Sequence, residues 1–261
     1  MLSRRLLLTL PCLPLPAAEP LRLIAHRGGI VDDQHVENSA ASLTDAISAG
    51  YWMIEVDVRR SKDGEPILQH DDNFRRFYNQ PYRVDELTWD EIRRFRGQPG
   101  NGAPLHFADL CQLCEGKVRL MLDLKGYDWP PSFYENLATL LARHNLLQTA
   151  YLLGGRNAAT LPITRNAKAS INAAGLAEAL AAGEDAASRY YLFELASAIT
   201  PETVALCRKA NVPCVAAINT FRYKMAKRDE WEGPKEDAGR LLALGVTHFQ
   251  IDSRYESLFG R

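Results

Sequence analysis

Short apolar runs alternate along the chain with longer stretches whose apolar residues recur at helical spacing. The short runs predict eight strands, over residues 21–25, 53–58, 118–123, 149–153, 167–171, 190–195, 213–218 and 247–251. The stretches between them predict helices over residues 40–49, 85–95, 132–144, 175–182, 201–209 and 234–243. Strands joined mostly by helical crossovers form parallel sheets, and eight of them predict a single-domain α/β protein, a (β/α)8 TIM barrel.

One further apolar run, residues 66–70, does not fit this alternation. Only the Ser61–Gly64 stretch separates it from the second strand, which is too short for a parallel crossover. Asp-Gly is a strong signal for a tight hairpin turn. We therefore predict a short β-hairpin after the second strand, with Asp63 and Gly64 as its turn residues and Asp57 opposite His70.

Polar residues interrupt the apolar runs where the first three strands end and where the hairpin returns: His26, Arg27, Glu55, Asp57, His70, Asp123 and Lys125. The active sites of (β/α)8 barrels form at the carboxyl ends of the strands. Glu55 and Asp57 lie two residues apart on one strand, so both point to the same face, roughly 6–7 Å apart. With Asp123, they could surround one hard cation such as Mg²⁺ or Ca²⁺.

The remaining polar residues of this set suit phosphate chemistry. Arg27 offers a planar fork for phosphate oxygens and Lys125 a compact positive charge. His26 and His70, which come from different segments, can transfer protons on either side of the cation. The residues together predict a metal-assisted site that cleaves a phosphodiester.

The net charge and the first residues of the chain bear on its binding partners and its cellular location. A net charge of −1 over 261 residues argues against a nucleic-acid-binding protein. Residues 1–18 contain Arg4-Arg5, a short leucine-rich run and a small-residue exit, which predict an export signal of the twin-arginine type and a periplasmic or secreted protein. The alternative is an uncleaved, unstructured terminus. The apolar run is shorter than the ~20 residues needed for a transmembrane segment, and residues 19–261 are expected to form the barrel.

Several short motifs resemble the glycerophosphodiester phosphodiesterase family: His26-Arg27-Gly28, Glu37-Asn38-Ser39, Glu55-Val56-Asp57, Lys62-Asp63-Gly64, His70-Asp71 and the late Gly245–Asp252 stretch. The resemblance implies a (β/α)8 barrel that binds one divalent cation and cleaves glycerophosphodiesters to glycerol 3-phosphate and an alcohol. It makes His26 and His70 the acid–base pair. It assigns the cation to Glu55, Asp57 and Asp123, and phosphate contacts to Arg27 and Lys125.

The chain departs from this family pattern in ways that bear on the substrate. Asp123 stands where the family commonly has glutamate, and Asp-x-Lys also occurs in the related spider-venom phospholipase D enzymes. Ala216 and Ala217 replace the tryptophan and threonine of the Trp-Thr-Val-Asn motif, so we expect a pocket that is wider or filled by another residue. The candidates for a replacement aromatic are Trp52, Trp231 and, as the first choice, Trp129. The stretch after His70 shows no glycerol-site insertion, and the preferred alcohol therefore stays open.

Three functions remain compatible with the sequence. The first is hydrolysis of a glycerophosphodiester or a related lipid-derived phosphodiester. The second is a phospholipase-D-like reaction in which a hydroxyl of the substrate attacks phosphorus and forms a cyclic phosphate. The third, a non-catalytic barrel-based binding protein, is disfavoured because the complete set of polar residues is present.

Overall fold

The computed structural model describes residues 19–29 and 34–261. The predicted export signal, residues 1–18, lies outside the described residues. Ten strands follow one another along the chain: β1 (Arg22–Ala25), β2 (Met53–Arg60), β3 (Pro66–Leu68), β4 (Leu105–His106), β5 (Arg119–Leu124), β6 (Tyr151–Leu153), β7 (Lys168–Ile171), β8 (Tyr190–Leu195), β9 (Cys214–Ile218) and β10 (His248–Ile251).

The described residues also form α-helices, most of which lie between successive strands. They are α1 (Ala40–Ser48), α2 (Arg75–Tyr78), α3 (Trp89–Ile92), α4 (Phe107–Cys114), α5 (Pro131–Arg143), α6 (Gly155–Ala159), α7 (Ala173–Ala181), α8 (Ala186–Arg189), α9 (Pro201–Ala210), α10 (Thr220–Met225) and α11 (Glu232–Ala243). Short 3₁₀ helices occur at His26–Gly28, Val84–Glu86, Leu147–Thr149, Pro162–Arg165 and Ser253–Phe259. Among the described residues, no helix is long and apolar enough to cross a membrane.

Eight strands close into a parallel barrel, as the apolar pattern predicts. The order runs β1, β2, β5, β6, β7, β8, β9 and β10, and β10 pairs with β1 to complete the ring. Helices connect most of the successive strands on the outside. The fold class predicted from the sequence is therefore confirmed.

The predicted hairpin is present, but its register differs from the expected one by one residue. β3 pairs antiparallel with the end of β2, with Val58 opposite Leu68. The next backbone bond runs from Gln69 N to Asp57 O, 3.0 Å, so Gln69 rather than His70 lies opposite Asp57. His70 therefore follows the paired region and is carried by the segment after β3.

The turn explains this shift in register. Ser61 N donates to Glu65 O at 3.0 Å, so three residues, not two, form the loop. The Ser61 hydroxyl donates to Asp63 Oδ1 at 2.6 Å and accepts from Glu65 N at 2.9 Å, which holds the longer loop together. Gly64 supplies the positive φ of 90° that such a loop needs.

Side chains on the barrel strands alternate between two apolar layers. The inner layer fills the barrel with Ile24, Met53, Met121, Tyr151, Tyr191 and Val215. The outer layer, which includes Leu23, Ile54, Leu122 and Leu192, packs under the helices. Because alternation has a period of two, each residue two positions beyond an inner-layer residue also faces inward. The strand-end residues His26, Glu55 and Asp123 thereby lie above the apolar plug.

Local capping signals set the amino-terminal ends of several helices. Ser39 is the N-cap of α1 and accepts from Ser42 N at 3.3 Å, while Thr200 caps α9 with Pro201 in the first turn. The helix predicted over residues 85–95 is wrong, because the chain is extended at Leu87 and starts α3 afresh at Thr88. Thr88 N and Oγ1 both donate to Glu91 Oε2 at 2.8 Å, which favours a new helix start over a continuous helix.

Replacement of Leu122 by alanine tests the outer layer of the core. Leu122 is fully buried between β5 and the helices, so Leu122→Ala should lower the free energy of unfolding by about 2–5 kcal/mol. Leu21→Ala, at a half-exposed position, is the matched control and should change it by less than about 0.5 kcal/mol. Denaturant unfolding measures both. Equal effects would show that Leu122 is not part of a tightly packed layer.

Candidate active site

A cavity of about 390 Å³ opens at the carboxyl ends of the barrel strands. All seven residues predicted for the site line it: His26, Arg27, Glu55, Asp57, His70, Asp123 and Lys125. A larger cavity of about 770 Å³ lies at the opposite end of the barrel, beside Arg22 and His248, and holds none of these seven. The fold therefore brings the predicted residues together at one place.

The three predicted metal ligands converge. Oxygen atoms of Glu55, Asp57 and Asp123 all lie within 4.8 Å of one another. The parallel register of β2 and β5 pairs Asp57 with Asp123, and Glu55 lies two residues earlier on the same face of β2. Three carboxylates at this spacing, with oxygen as every donor, are the ligand type that Mg²⁺ and Ca²⁺ prefer.

Burial and mutual repulsion shift the pKa values of the acids in this cluster. Burial and the neighbouring charge of Asp57 raise the pKa of Glu55 to about 8. Lys125 Nζ contacts Asp57 Oδ1 at 2.8 Å and Asp123 Oδ2 at 2.5 Å. Burial raises the pKa of Asp57, but the charge of Lys125, other nearby positive charge and the hydrogen bonds from Lys125 and Asn38 together outweigh burial and hold that pKa below its usual value. Positive charge near these oxygens is therefore favourable. Lys125 supplies part of it, and a divalent cation would supply more.

Asn38 positions Asp57 and was not predicted to be a site residue. Its side-chain Nδ2 donates to Asp57 Oδ2 at 2.8 Å, and its Oδ1 accepts from Asp57 N at 3.1 Å. Asn38 adopts a left-handed conformation with φ of 58°. The sequence offers Asn38 or Ser39 as the cap of α1, and because Ser39 takes that place, Asn38 is left to hold the strand end.

The first histidine is held by a carboxylate at the far end of the chain. His26 Nδ1 lies 2.7 Å from Asp252 Oδ1, and the other oxygen of Asp252 accepts from Thr220 N at 2.7 Å. Burial lowers the pKa of His26, but the hydrogen bond to Asp252 and the negative charges of Glu55 and Asp252 together outweigh burial, so that the pKa is above its ordinary value. With Nδ1 engaged, Nε2 is left to act in the cavity. Asp252 belongs to the late motif, but its role is visible only in the barrel.

The second histidine is held in a similar way on the opposite flank. His70 Nδ1 lies 2.8 Å from Asp71 Oδ1, and Arg27 Nη2 donates to His70 Nε2 at 2.8 Å. Arg59 fixes the backbone by donating twice to the carbonyl of His70, at 3.1 and 2.8 Å. These partners assign the proton to Nδ1 and a lone pair to Nε2, which suits a proton acceptor.

Arg27 belongs to a chain of charges that the sequence did not predict. Its Nη1 donates to the buried Glu37 at 3.2 Å, and the other oxygen of Glu37 pairs with Arg76. Arg76 also donates to Asp71 Oδ2 at 3.0 Å, which links this chain back to the second histidine. The Nε of Arg27 is buried and has no partner among the described residues. Arg76 lines the cavity as well, and no sequence motif marked it.

The apolar side of the cavity differs from the expectation. Trp129 packs on Phe133 and Tyr134 and does not line the cavity, because its loop folds back over α5. Ala217 faces the cavity, while Ala216 belongs to the outer layer under the helices. The aromatic residues that line the cavity are Phe193 on β8 and Phe221 on α10.

Comparison with known proteins now relates the site to a family. Residues 26–126, which supply all seven predicted residues, match the model of the glycerophosphoryl diester phosphodiesterase family. This stretch of the chain is therefore similar in sequence to that family. The barrel also superimposes on a glycerophosphoryl diester phosphodiesterase of Parabacteroides distasonis, with a TM-score of 0.73, 21% identity and coverage of 94% of this chain and 88% of that one. At this identity the superposition supports the fold.

The family members that are similar in sequence match over part of their length. Human glycerophosphodiester phosphodiesterase 1 is 34% identical over 113 residues, and human lysophospholipase D GDPD1 is 31% identical over 94. These stretches are 40% and 36% of this chain and span 34% and 28% of the two relatives. A phosphodiesterase of Oleispira antarctica, solved with the product sn-glycerol-3-phosphate, has a TM-score of 0.72 at 18% identity, over 92% of this chain and 97% of that one.

A methyl group at Gly28 should disturb the loop that holds Asp57. A Cβ there would lie 2.6 Å from the Asn38 backbone, and φ is 79°. Gly50, with φ of 72° and open space around it, is the matched control. Alanine at either position should lower the free energy of unfolding by about 1–2 kcal/mol, because the backbone is left-handed there. Gly28→Ala should lower it further through the clash with Asn38 and should also lower turnover. Equal losses would contradict the role of this close approach.

Neutralising Asp252 should lower the pKa of His26. In Asp252→Asn the negative charge that raises this pKa is gone, so His26 should become neutral at a lower pH than in the wild type. The titration of imidazole protons followed by NMR measures the shift. Glu65→Gln, which changes the remote partner of His106 at 3.0 Å, is the control and should leave His26 unaffected. An unchanged His26 pKa in Asp252→Asn would rule out this cause.

Proposed function

We propose that this chain is a metal-dependent phosphodiesterase that hydrolyses a glycerophosphodiester or a related lipid-derived phosphodiester. The observation that carries the proposal is the convergence of three carboxylates, two histidines and two cationic side chains in one cavity. The family match over residues 26–126 supports the reaction type. The name of the human lysophospholipase D relative supports a lipid-derived diester as one substrate class.

Glu55, Asp57 and Asp123 are the residues that would hold the cation. Bound there, Mg²⁺ or Ca²⁺ would neutralise phosphate oxygens and stabilise the charge that develops in the transition state. Lys125, within 2.8 Å of two of the three carboxylates, lies close enough to the same place to contact a phosphate oxygen. Arg27, which follows the neighbouring strand β1, supplies a second cationic side chain to the same cavity.

The two histidines are arranged to move protons. Each has Nδ1 bound to a carboxylate, Asp252 for His26 and Asp71 for His70, so each offers Nε2 to the substrate. One removes a proton from the nucleophile and the other protonates the oxygen of the leaving alcohol. Arg27 now donates to His70 Nε2, and a phosphate oxygen that takes over this donor would free the nitrogen.

The nature of the bound alcohol is argued from the apolar side of the cavity. Leu153, Phe193 and Leu195 line it from β6 and β8, opposite the charged ends of β1 and β2. Apolar surface at this place favours a diester with an acyl chain or another bulky group over the small polar glycerophosphocholine. We therefore propose that a lysophospholipid-like diester is cleaved more efficiently than glycerophosphocholine.

Phosphorus NMR of the products tests the reaction directly. Glycerophosphocholine and lysophosphatidylcholine are incubated with the protein and Mg²⁺ or Ca²⁺. Hydrolysis gives a phosphomonoester, intramolecular attack gives a cyclic phosphate, and a binding protein gives no new signal. A phosphomonoester from either substrate supports the proposal, whereas a cyclic phosphate or no turnover refutes it. A higher rate with glycerophosphocholine would overturn the substrate preference alone.

Alanine variants of the histidines test the proton transfers. His26→Ala and His70→Ala should each lower turnover by roughly 10²-fold or more. His144→Ala is the control, because this histidine pairs with Glu115 at 2.9 Å outside the cavity. Near-native turnover in either cavity variant would remove that histidine from the mechanism.

Calorimetric titration tests the cation site without substrate. Asp123→Asn removes one carboxylate from the cluster and should weaken the binding of Mg²⁺ or Ca²⁺ by 10-fold or more, on the order of the loss typical for metal-site mutations. Asp109→Asn, on the exposed face of α4, changes the charge equally and should bind like the wild type. Full activity in excess chelator would contradict metal dependence.

A further inference from the structure

A short helix at the mouth of the cavity presents an unusual surface. α10 begins directly after β9, and its first residues, Phe221 and Arg222, line the cavity. The outer side of α10 and the residues that follow it carry Phe221, Arg222, Lys224, Met225 and Lys227, all exposed. We call this set the α10 surface. It borders the opening through which a substrate must enter.

Two large apolar side chains of the α10 surface are mostly exposed to solvent, and one of them, Phe221, also borders the cavity. Phe221 is 55% exposed and Met225 is 64% exposed. They are four residues apart, so they lie on the same side of the helix. Tyr223, on the other side, is buried and donates from its hydroxyl to Asp237 Oδ2 at 2.9 Å, which anchors α10 to α11. The exposure of Phe221 and Met225 therefore follows from how the helix is fixed to the protein.

Basic residues predominate in and just after α10. Residues 220–228 contain four basic residues and no acidic one, and two acids, Asp229 and Glu230, follow directly. Lys224 has only a 3.5 Å contact with Glu230, and Arg228 pairs with Asp237 at 2.6 Å. Arg222 and Lys227 form no ion pair with any residue in the described ranges, and Arg222 stacks on the Phe221 ring at 5.8 Å. Net positive charge beside exposed apolar side chains calls for a partner that is both anionic and apolar.

We propose that the α10 surface binds the surface of a bilayer that contains anionic lipid. Lysines and arginines contact the headgroups while Phe221 and Met225 enter the acyl boundary, as in interfacial helices. A nucleic acid would use the positive charges but not the apolar side chains. A protein partner needs roughly 800 Å² of complementary surface, more than one short helix offers. Docked in this way, the membrane would lie against the cavity opening.

Vesicle sedimentation tests the proposal. The probes are vesicles of phosphatidylcholine alone and of phosphatidylcholine mixed with phosphatidylglycerol. The wild type should bind the mixed vesicles, bind the neutral ones much more weakly, and lose binding at high salt. Lys224→Gln/Lys227→Gln should lower the partition constant by roughly fivefold per lysine. Met225→Gln should lower it several-fold through lost apolar burial, a change on the order of that expected for one side chain.

The control variant removes the same number of positive charges at the other end of the barrel. Lys117→Gln/Lys209→Gln removes two exposed lysines next to the amino ends of β5 and β9 and should bind like the wild type. Equal losses in both double variants would indicate a general charge effect and overturn the proposal. If the wild type did not bind the mixed vesicles at low salt, the proposal would also be overturned. It would likewise be overturned if Met225→Gln bound these vesicles as tightly as the wild type and the wild type bound an oligonucleotide equally well.

This inference goes beyond the proposed phosphodiesterase function, because the binding assay requires no turnover. Lys224, Lys227 and Met225 lie outside the cavity lining, so their variants should cleave a short soluble diester at the wild-type rate. With lysophospholipid presented in mixed vesicles, the same variants should lose rate in proportion to binding. Binding without turnover would refute the phosphodiesterase proposal alone, and turnover without binding would refute the bilayer surface alone.

Discussion

The mutual repulsion of three clustered carboxylates, two of them buried, is the constraint on which the site depends. Glu55 and Asp57 are almost completely buried, and their oxygens share a small volume with those of Asp123. Each neighbouring polar group relieves part of that repulsion. Lys125 neutralises two of the acids, Asn38 donates to Asp57, and the backbone of Arg27 donates to Glu55. Further positive charge at the centre of this cluster would relieve the remaining repulsion, so the three acids could hold a cation.

The two histidines connect this centre to distant parts of the chain. Asp252 reaches His26 across the closing seam between β10 and β1, and Asp71 reaches His70 from the next residue. Arg27 then bridges the second histidine to Glu37, which itself pairs with Arg76. His70, for which proton transfer is proposed, therefore lies in the same hydrogen-bonded network as the charges of Arg27, Glu37 and Arg76. Because the network spans several segments, replacing one of its residues should alter the hydrogen bonds of the others.

The barrel opening has two unlike sides. The ends of β1, β2 and β5 carry the charged residues, while β6 and β8 contribute Leu153, Phe193 and Leu195. The rim after β9 continues this apolar side outward as α10, with Phe221 at the boundary between cavity and exterior. A phosphodiester with one polar and one apolar part would match this division. The α10 surface thus adjoins the apolar side of the cavity, and an amphipathic substrate would contact both.

The sequence alone determined the barrel and the identity of the seven cavity residues. Alternation of apolar and polar positions fixes which side chains share a face, so the strands and their polar ends could be found without coordinates. The turn after β2 was missed by one residue, because hydrogen bonds of the Ser61 hydroxyl outweigh the Asp-Gly preference. Asn38, Arg76 and Asp252 acquired their roles only in three dimensions, since each acts on a residue far away in sequence. The direction of Trp129, which packs on α5 instead of the cavity, was likewise decided by tertiary packing, which no local pattern encodes.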